Sequence, residues 1–197
     1  FVNLMKENLN FLEETIESKQ KAVPPFSAEA KNFLEIRKSL LIAQCSALLS
    51  NRNISISELH EMSAKLNEYL LEVPLDRHIT IVYGRLCRSA GNLDQAIEIL
   101  SNYIDQFDST GKSKTKDYAD ILYNRACYYS LMFGTKKDKK YKDLSLEDLS
   151  NSIKISEENL DDARSDSDFR PIQNEKHFIN IITKDCIGSQ KTAPGES

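Results

Sequence analysis

The sequence predicts an all-α protein whose antiparallel helix hairpins stack on one another and end in a capping helix. Its 197 residues include only six glycines and five prolines, which leaves little turn chemistry for a fold of many strands. Apolar residues recur at steps of three and four along most of the chain, as on the buried side of an amphipathic helix. The residues that interrupt this pattern are ones that commonly cap or stop helices.

Composition and net charge make some classes of function less expected than others. The chain is 40% hydrophobic and 28% charged, with a net charge of −4 and a pI near 5.5. A nucleic-acid site needs a basic face, so we expect a protein or peptide partner instead. The sequence has no run of about 18 apolar residues, and we expect a cytoplasmic protein without a membrane span. Because the first residue is Phe1 and not methionine, we expect the chain to belong to a longer protein.

Residues 1–23 predict an amphipathic helix that ends before Pro24 and Pro25. Two interpretations stay open. The favoured one is that this helix packs on a neighbouring helix of the same chain. The other is a coiled coil between two copies of the chain, a homo-oligomer formed through residues 2–16. The apolar positions follow the steps of a heptad repeat: Val2, Met5, Leu9, Leu12 and Ile16.

Two further helices are predicted before Pro74. The first covers residues 28–50 after a cap at Ser27, and a polar turn of asparagine and arginine ends it. The second begins after a cap at Ser55 or Ser57. The apolar positions expected to face the core are Phe33, Ile36, Leu40, Ala43, Ala47, Leu48, Leu59, Met62, Leu66, Tyr69 and Leu70.

From Asp76 onward, helices alternate with clear stop signals. Gly91 with Asn92 ends one helix, and Gly134 is expected to end another. Residues 188–197 are polar and predict a flexible tail. The predicted helices span residues 78–90, 93–107, 118–133, 145–164 and 175–182.

Small residues recur where the helices of two pairs must approach closely. In the first pair, Gly84 lies twelve residues before Ala96, with the turn residue Gly91 between them. The first pair also carries Cys87, Leu100 and Tyr103, and the second pair supplies Ala126, Tyr129, Ser145, Leu149 and Ser152 at matching positions. This order of small and large residues resembles the tetratricopeptide repeat.

The resemblance implies a short solenoid of stacked hairpins within residues 27–187. Its two repeats would cover residues 77–110 and 118–163, and a degenerate hairpin before them would supply the neighbour that a stack requires. Because the second pair is longer than the first, the resemblance implies an insertion after Gly134.

Residues 163–181, named here the closing segment, resemble the segment that follows the last repeat in this family. The resemblance implies that Phe169, Ile172 and Phe178 cover the open end of the stack. A capped stack of this kind is consistent with the short helix predicted at residues 175–182.

In tetratricopeptide-repeat proteins, the first helix of each hairpin lines a concave groove that binds protein segments. The resemblance therefore implies a non-catalytic interaction or sensor module, a scaffold within a larger protein. Two alternatives stay open: a structural module that oligomerises through its N-terminal helix, and the regulatory region of an enzyme whose catalytic domain lies elsewhere. The partner-binding residues implied by the resemblance are Arg85, Arg88, Asn124 and Tyr128.

A lysine cluster follows Gly134 and comprises Lys136, Lys137, Lys139, Lys140 and Lys142. Its ammonium groups could contact an acidic peptide, an anionic lipid surface or nucleic acid. The favoured interpretation is a mobile solvated loop whose positive charge is partly neutralised by the acidic helix that follows.

No motif in the sequence predicts catalysis, a metal or a cofactor, and we expect that the chain is not an enzyme. The acidic residues at 157–168 are interpreted as a solvated helix face. The histidines lie in separate helices without a second metal ligand at suitable spacing: His60, His78 and His177. The cysteines form no closely spaced pair, and we predict reduced, buried thiols: Cys45, Cys87, Cys127 and Cys186.

Overall fold

The computed structural model describes residues 11–12, 14–16, 18, 28–50 and 55–183, and every regular element among them is helical. The predicted all-α class is confirmed for this part of the chain. The chain divides into two compact units, Phe1–Ile99 and Leu100–Ser197.

Among its described residues, the first unit contains three complete helices: α1 (Ala28–Leu49), α2 (Ile56–Glu72) and α3 (Arg77–Ser89). The boundary between the units falls inside α4 (Leu93–Ser109). The second unit contains α5 (Lys116–Lys136), α6 (Lys139–Ile155), α7 (Glu158–Ser165), a 3-10 helix (Ser167–Ile172) and α8 (Lys176–Thr183).

Helix α2 begins at the predicted cap Ser55. The Ser55 hydroxyl accepts a hydrogen bond from the Glu58 backbone N–H at 3.2 Å, and the Glu58 carboxylate accepts one from the Ser55 N–H at 3.0 Å. This reciprocal capping box satisfies two backbone donors that the helix itself leaves unpaired. The helix ends at Glu72, just before Pro74, as the sequence predicts.

Asp76 ties the three helices of the first unit together. Its Oδ1 caps α3 by accepting the Ile79 backbone N–H at 3.0 Å. Its Oδ2 accepts the Tyr69 hydroxyl of α2 at 3.3 Å and pairs with Lys38 Nζ of α1 at 2.8 Å. One buried carboxylate thus serves as cap, hydrogen-bond acceptor and ion-pair partner.

The buried side of α1 differs from the predicted one. Ile36 is exposed, whereas the adjacent Arg37 is buried and pairs with Glu68 and Glu72 of α2 at 3.0 and 2.9 Å. The Arg37 guanidinium turns inward because two carboxylates of α2 compensate its charge. The buried residues of α1 are Arg37, Leu40, Leu41, Gln44, Cys45 and Leu48.

Small residues bring α5 and α6 together, and the sequence predicts one of their two contacts, that of Ser145 with Ala126. The Ser145 hydroxyl donates to the Ala126 carbonyl at 2.8 Å, and the Ser152 hydroxyl donates to the Ala119 carbonyl at 2.8 Å. All four residues are fully buried at the contact between the two helices, and Leu149 is buried with them. A short hydroxyl side chain fits this contact because it bonds directly to the facing backbone.

The closing segment packs against α5. The Ser130 hydroxyl of α5 donates to the Asp168 carbonyl at 2.7 Å. Phe169 lies edge-on to Tyr123 of α5 at 5.7 Å between ring centroids, and Phe178 of α8 lies 5.5 Å from Phe169. Phe169, Ile172 and Phe178 are all buried.

Gly134 does not end a helix, which corrects the sequence prediction. Helix α5 continues to Lys136, and Lys137 takes the left-handed conformation, with φ 57°, that terminates it. Gly134 instead lies under Pro171 of the closing segment, where an added Cβ would be 3.0 Å from the Pro171 Cγ. Its lack of a side chain is used for close packing rather than for a turn.

The lysine-rich stretch is helical and not the predicted loop. Only Lys137 and Asp138 separate α5 from α6, and the Asp138 carboxylate caps α6 by accepting the Lys140 backbone N–H at 2.9 Å. A tight two-residue connection thus takes the place of the expected insertion. The predicted helix over residues 145–164 is in turn divided at Ser156 into α6 and α7.

The N-terminal helix is described only in part. Its described residues 11–12, 14–16 and 18 are helical, and the Leu12 side chain is 49% exposed. Several features predicted from the sequence lie outside the described residues: Val2, Met5, Leu9, Pro24, Pro25, Ser27, the turn at 51–53, Cys186 and the tail at 188–197.

Candidate functional site

Arg85 and Arg88 both lie on the exposed side of α3. They are three residues apart, so they are neighbours on the helix surface. The other side of α3 is fully buried and consists of Ile79, Thr80, Tyr83, Gly84, Leu86 and Cys87. Helix α3 therefore packs against the protein with one side and exposes two arginines on the other.

The other two predicted contact residues lie on α5, in the second unit. Asn124 is partly buried, and its side-chain amide donates to the Asp120 carbonyl one turn earlier at 2.8 Å. Tyr128 is only 2% exposed, so its ring is a packing residue and not a contact for a partner. Helix α5 is buried over most of its circumference, and this explains why Tyr128 is covered.

An ion pair inside the second unit was missed by the sequence interpretation. Arg125 donates from Nε to Asp148 Oδ2 at 2.7 Å and from Nη2 to Asp148 Oδ1 at 2.9 Å. A third bond runs from Arg125 Nη1 to the Ser101 hydroxyl at 3.0 Å. Asp148 lies on α6 between Ser145 and Ser152, on the same inner side, and this spacing was the signal that could have found it.

Burial and pairing act against each other in this ion pair. Burial raises the pKa of Asp148, while the hydrogen bonds and charge of Arg125 act to lower it. Burial acts to lower the pKa of Arg125, but the hydrogen bond and charge of Asp148 outweigh it, and the pKa of Arg125 is raised. The pair joins α5 to α6, so Arg125 has a structural role.

The lysine cluster surrounds the junction of α5 and α6. Lys136, Lys137, Lys139 and Lys140 are exposed, whereas Lys142 is partly buried and pairs with Glu175 at 2.9 Å. The ammonium groups of Lys137 and Lys142 each lie 5.8 Å from the Phe133 ring centroid.

A second aromatic ring lies under the lysine cluster. The Lys136 ammonium lies 5.4 Å from the Tyr141 ring centroid, and Tyr141 lies 6.3 Å from Tyr129. The cluster therefore combines exposed cations with partly buried aromatic rings.

Cys127, Asp166 and Asp168 bring a thiol and two carboxylates within 4.8 Å of one another. Asp166 Oδ2 accepts hydrogen bonds from the Tyr123 hydroxyl at 3.1 Å and the Cys127 thiol at 3.6 Å. Asp166 Oδ1 accepts the Asp168 backbone N–H at 2.9 Å and so caps the 3-10 helix. This grouping holds the closing segment on α5, and Asp168 is buried rather than part of a solvated helix face.

Two thiols of the first unit are buried and reduced, as predicted. Burial raises the pKa of Cys45 to about 12, with a smaller contribution from nearby Cys87, and burial raises the pKa of Cys87 to about 12 as well. A thiol that stays protonated is a poor nucleophile and a poor metal ligand. Cys127 in the second unit is also free and buried.

Two open depressions flank α6 in the second unit, with volumes of about 460 and 450 Å³. The first combines His177 with Asp143, Glu147 and Lys154, and the second is lined mainly by isoleucine and leucine. Lys154, His177, Asp143 and Glu147 are exposed, so neither depression is the dry, shaped pocket that shifts catalytic pKa values.

Comparison of the chain with protein-family models, with curated proteins and with solved structures finds no match. In the described parts of the chain, no helix combines the length and apolar character needed to cross a bilayer.

Proposed function

We propose that this chain is a non-catalytic protein-binding module of the helical-repeat kind, in which the exposed side of α3 contacts a segment of a partner protein. The observation that carries the proposal is the arrangement of Arg85 and Arg88 on that side of α3. Both side chains are exposed, while the opposite side of α3, from Ile79 to Cys87, is buried. Arginine is enriched at the energetic centres of protein interfaces.

The repeat part of the proposal is supported by helix pairing in the second unit. Ser145 makes the close contact with Ala126 of α5 that the tetratricopeptide resemblance implies for a small residue. The closing segment packs its aromatic residues on α5. One hairpin cannot bury its apolar side alone, so a covering segment of this kind fits a short repeat stack.

The non-catalytic part is supported by the roles of the groups with shifted pKa values. Arg125 and Asp148 bind each other, Tyr69 and Tyr118 donate to Asp76 and Asp108, and Cys45 is an inert buried thiol. The paired groups join neighbouring elements and the thiol is simply buried, and both are structural explanations for perturbed titration.

The test is affinity capture from an extract of the producing cells, followed by quantitative mass spectrometry. Arg85→Ala with Arg88→Ala is compared with Lys31→Ala with Arg170→Ala, which also removes two exposed cations. We expect the first variant to lose proteins that wild type and control retain. Recovery of the same proteins by all three would contradict the proposal. Asn124→Ala is tested separately, because Asn124 belongs to the second unit.

A second candidate function is self-association through the N-terminal helix. It is favoured by Leu12, a member of the predicted heptad stripe whose side chain is 49% exposed. A leucine of a coiled-coil seam is exposed until a partner helix covers it. Light scattering of wild type, Leu12→Glu and the control Ser18→Glu decides this: a dimer lost only in Leu12→Glu supports self-association, and a monomer in all three excludes it.

A further inference from the structure

The junction of α5 and α6 departs from ordinary helix chemistry at consecutive positions. Lys137 holds the left-handed conformation at φ 57°, where glycine or asparagine is the usual residue. Lys139, Lys140 and Lys142 lie in the first turn of α6, where the positive end of the helix dipole favours acidic side chains. Each departure costs stability. Local conflicts of this kind are expected at functional sites.

The cations of the junction are only partly compensated within the chain. Residues 136–143 carry five lysines against two aspartates, although the whole chain has a net charge of −4. Lys142 pairs with Glu175, whereas the ammonium groups of Lys139 and Lys140 point from exposed positions and make no ion pair within the described residues. An exposed positive patch on an acidic protein attracts an anionic partner.

The backbone of α6 is not the anion-binding element. Asp138 already places a carboxylate at the start of the helix and accepts the Lys140 N–H. A bound anion would therefore be held by the lysine side chains themselves. Lysine ammonium groups act as point charges, which suit carboxylates spaced along a flexible chain.

Two aromatic rings lie beneath ammonium groups of the lysine cluster. Phe133 lies beneath Lys137 and Lys142, and Tyr141 lies beneath Lys136. Stacking on these rings restrains the lysine side chains, so less conformational entropy is lost when a partner binds.

We propose that the lysine cluster is a docking surface for an acidic peptide segment of a partner protein. This surface lies at the junction of α5 and α6 and is independent of the surface of α3 proposed above. An acidic peptide is favoured over nucleic acid by the net negative charge of the chain and by the short extent of the cluster. It is favoured over a lipid surface because the rings beneath the lysines are partly buried and not free to insert.

The test is fluorescence anisotropy with a labelled peptide of alternating glutamate and serine, and with the same peptide carrying glutamine for glutamate. Lys139→Glu with Lys140→Glu is compared with Lys31→Glu with Lys112→Glu, which changes the net charge equally at exposed sites elsewhere. We expect the acidic peptide alone to bind wild type. Reversal of Lys139 and Lys140 should weaken that binding about tenfold, and the control should weaken it far less.

Parallel titrations use vesicles of two parts phosphatidylcholine to one part phosphatidylserine, and a single-stranded oligouridylate. Tighter binding of either probe than of the acidic peptide overturns the proposal, as does equal weakening by both double variants or no binding of the peptide. Misfolding cannot imitate the expected result, because glutamate in the first turn of α6 stabilises the helix. Circular dichroism of each variant checks this.

Discussion

Arg125 of α5 and Asp148 of α6 form a two-pronged ion pair, with N–O distances of 2.7 and 2.9 Å. Both side chains are largely buried, so each depends on the other to compensate its charge. The pair also fixes the register of the two helices, because two parallel hydrogen bonds to one carboxylate allow little sliding.

Removing one member of this pair should destabilise the protein strongly. We expect Arg125→Ala to lower the free energy of unfolding by about 3 kcal/mol, because Asp148 is left buried without its cation. Arg125→Leu combined with Asp148→Leu should recover most of that loss. Urea denaturation followed by circular dichroism measures both. An equal loss in the single and double variants would show that packing, and not the unpaired charge, sets the cost.

The close contact between α5 and α6 should reject a larger residue at Ser145. Ser145→Val removes the hydrogen bond to the Ala126 carbonyl and adds a methyl group at a fully buried contact. We expect a loss of about 1–3 kcal/mol in the free energy of unfolding. Ser150→Val, on the outer side of the same helix, should change it by less than about 0.5 kcal/mol. Equal effects of the two changes would argue against the close approach.

Gly134 and Pro171 should be energetically coupled. Alanine in place of glycine inside a helix normally stabilises by about 1 kcal/mol. At Gly134 the new Cβ would meet the Pro171 ring at 3.0 Å, so we expect little or no gain in the wild-type background. In a Pro171→Ala background, which removes the Cγ but keeps the Cβ at 3.3 Å, part of the gain should appear. A double-mutant cycle from thermal or urea unfolding measures the coupling, and identical effects of Gly134→Ala in both backgrounds would disprove it.

The left-handed conformation of Lys137 should cost stability. Lys137→Gly is expected to raise the free energy of unfolding by about 1 kcal/mol, because glycine adopts a positive φ without a Cβ clash. Lys137→Ala removes the same charged side chain but keeps the Cβ, so it should give no such gain. If alanine stabilises as much as glycine, repulsion among the lysines is the cause instead of the backbone.

Stability should fall at alkaline pH because of the buried thiols. Cys45 and Cys87 have folded-state pKa values raised from 9.0 to about 12, so the unfolded state loses these protons first as the pH rises. Their contribution is complete below pH 9 and is lost through the window up to about 12, by at most about 1.4 kcal/mol per pH unit for each thiol.

Urea unfolding at a series of pH values from about 8 to about 10 tests this sign. Cys45→Ala with Cys87→Ala should be less stable near neutrality, because two buried groups are lost, but should show a shallower decline with pH. A decline as steep as that of wild type would mean that other groups, such as the buried tyrosines, control it.

The helices with strong local signals were predictable from sequence. Ser55 and Glu58 form the capping box that their spacing suggests, and Gly91 occupies the positive φ expected after α3. The small residue Ser145 was also predictable, because close helix contacts select for small residues independently of the partner sequence.

The remaining features depended on tertiary contacts that one sequence does not display. Gly134 resembles a helix stop, yet Pro171, distant in sequence, gives it a packing role. The lysine cluster has no apolar periodicity to indicate a helix. Its last three lysines are nevertheless helical, in a helix that Asp138 caps. Tyr128 was assigned to a groove because the sequence does not show that α5 is covered over most of its circumference.

The central claim, that the chain binds a partner protein through the exposed side of α3, is tested most directly by calorimetric titration. A partner recovered by affinity capture is titrated into wild type, Arg85→Ala with Arg88→Ala, and Lys31→Ala with Arg170→Ala. We predict that the dissociation constant rises at least about tenfold for the first variant alone, with an unchanged melting temperature. The same dissociation constant in all three proteins would contradict the claim.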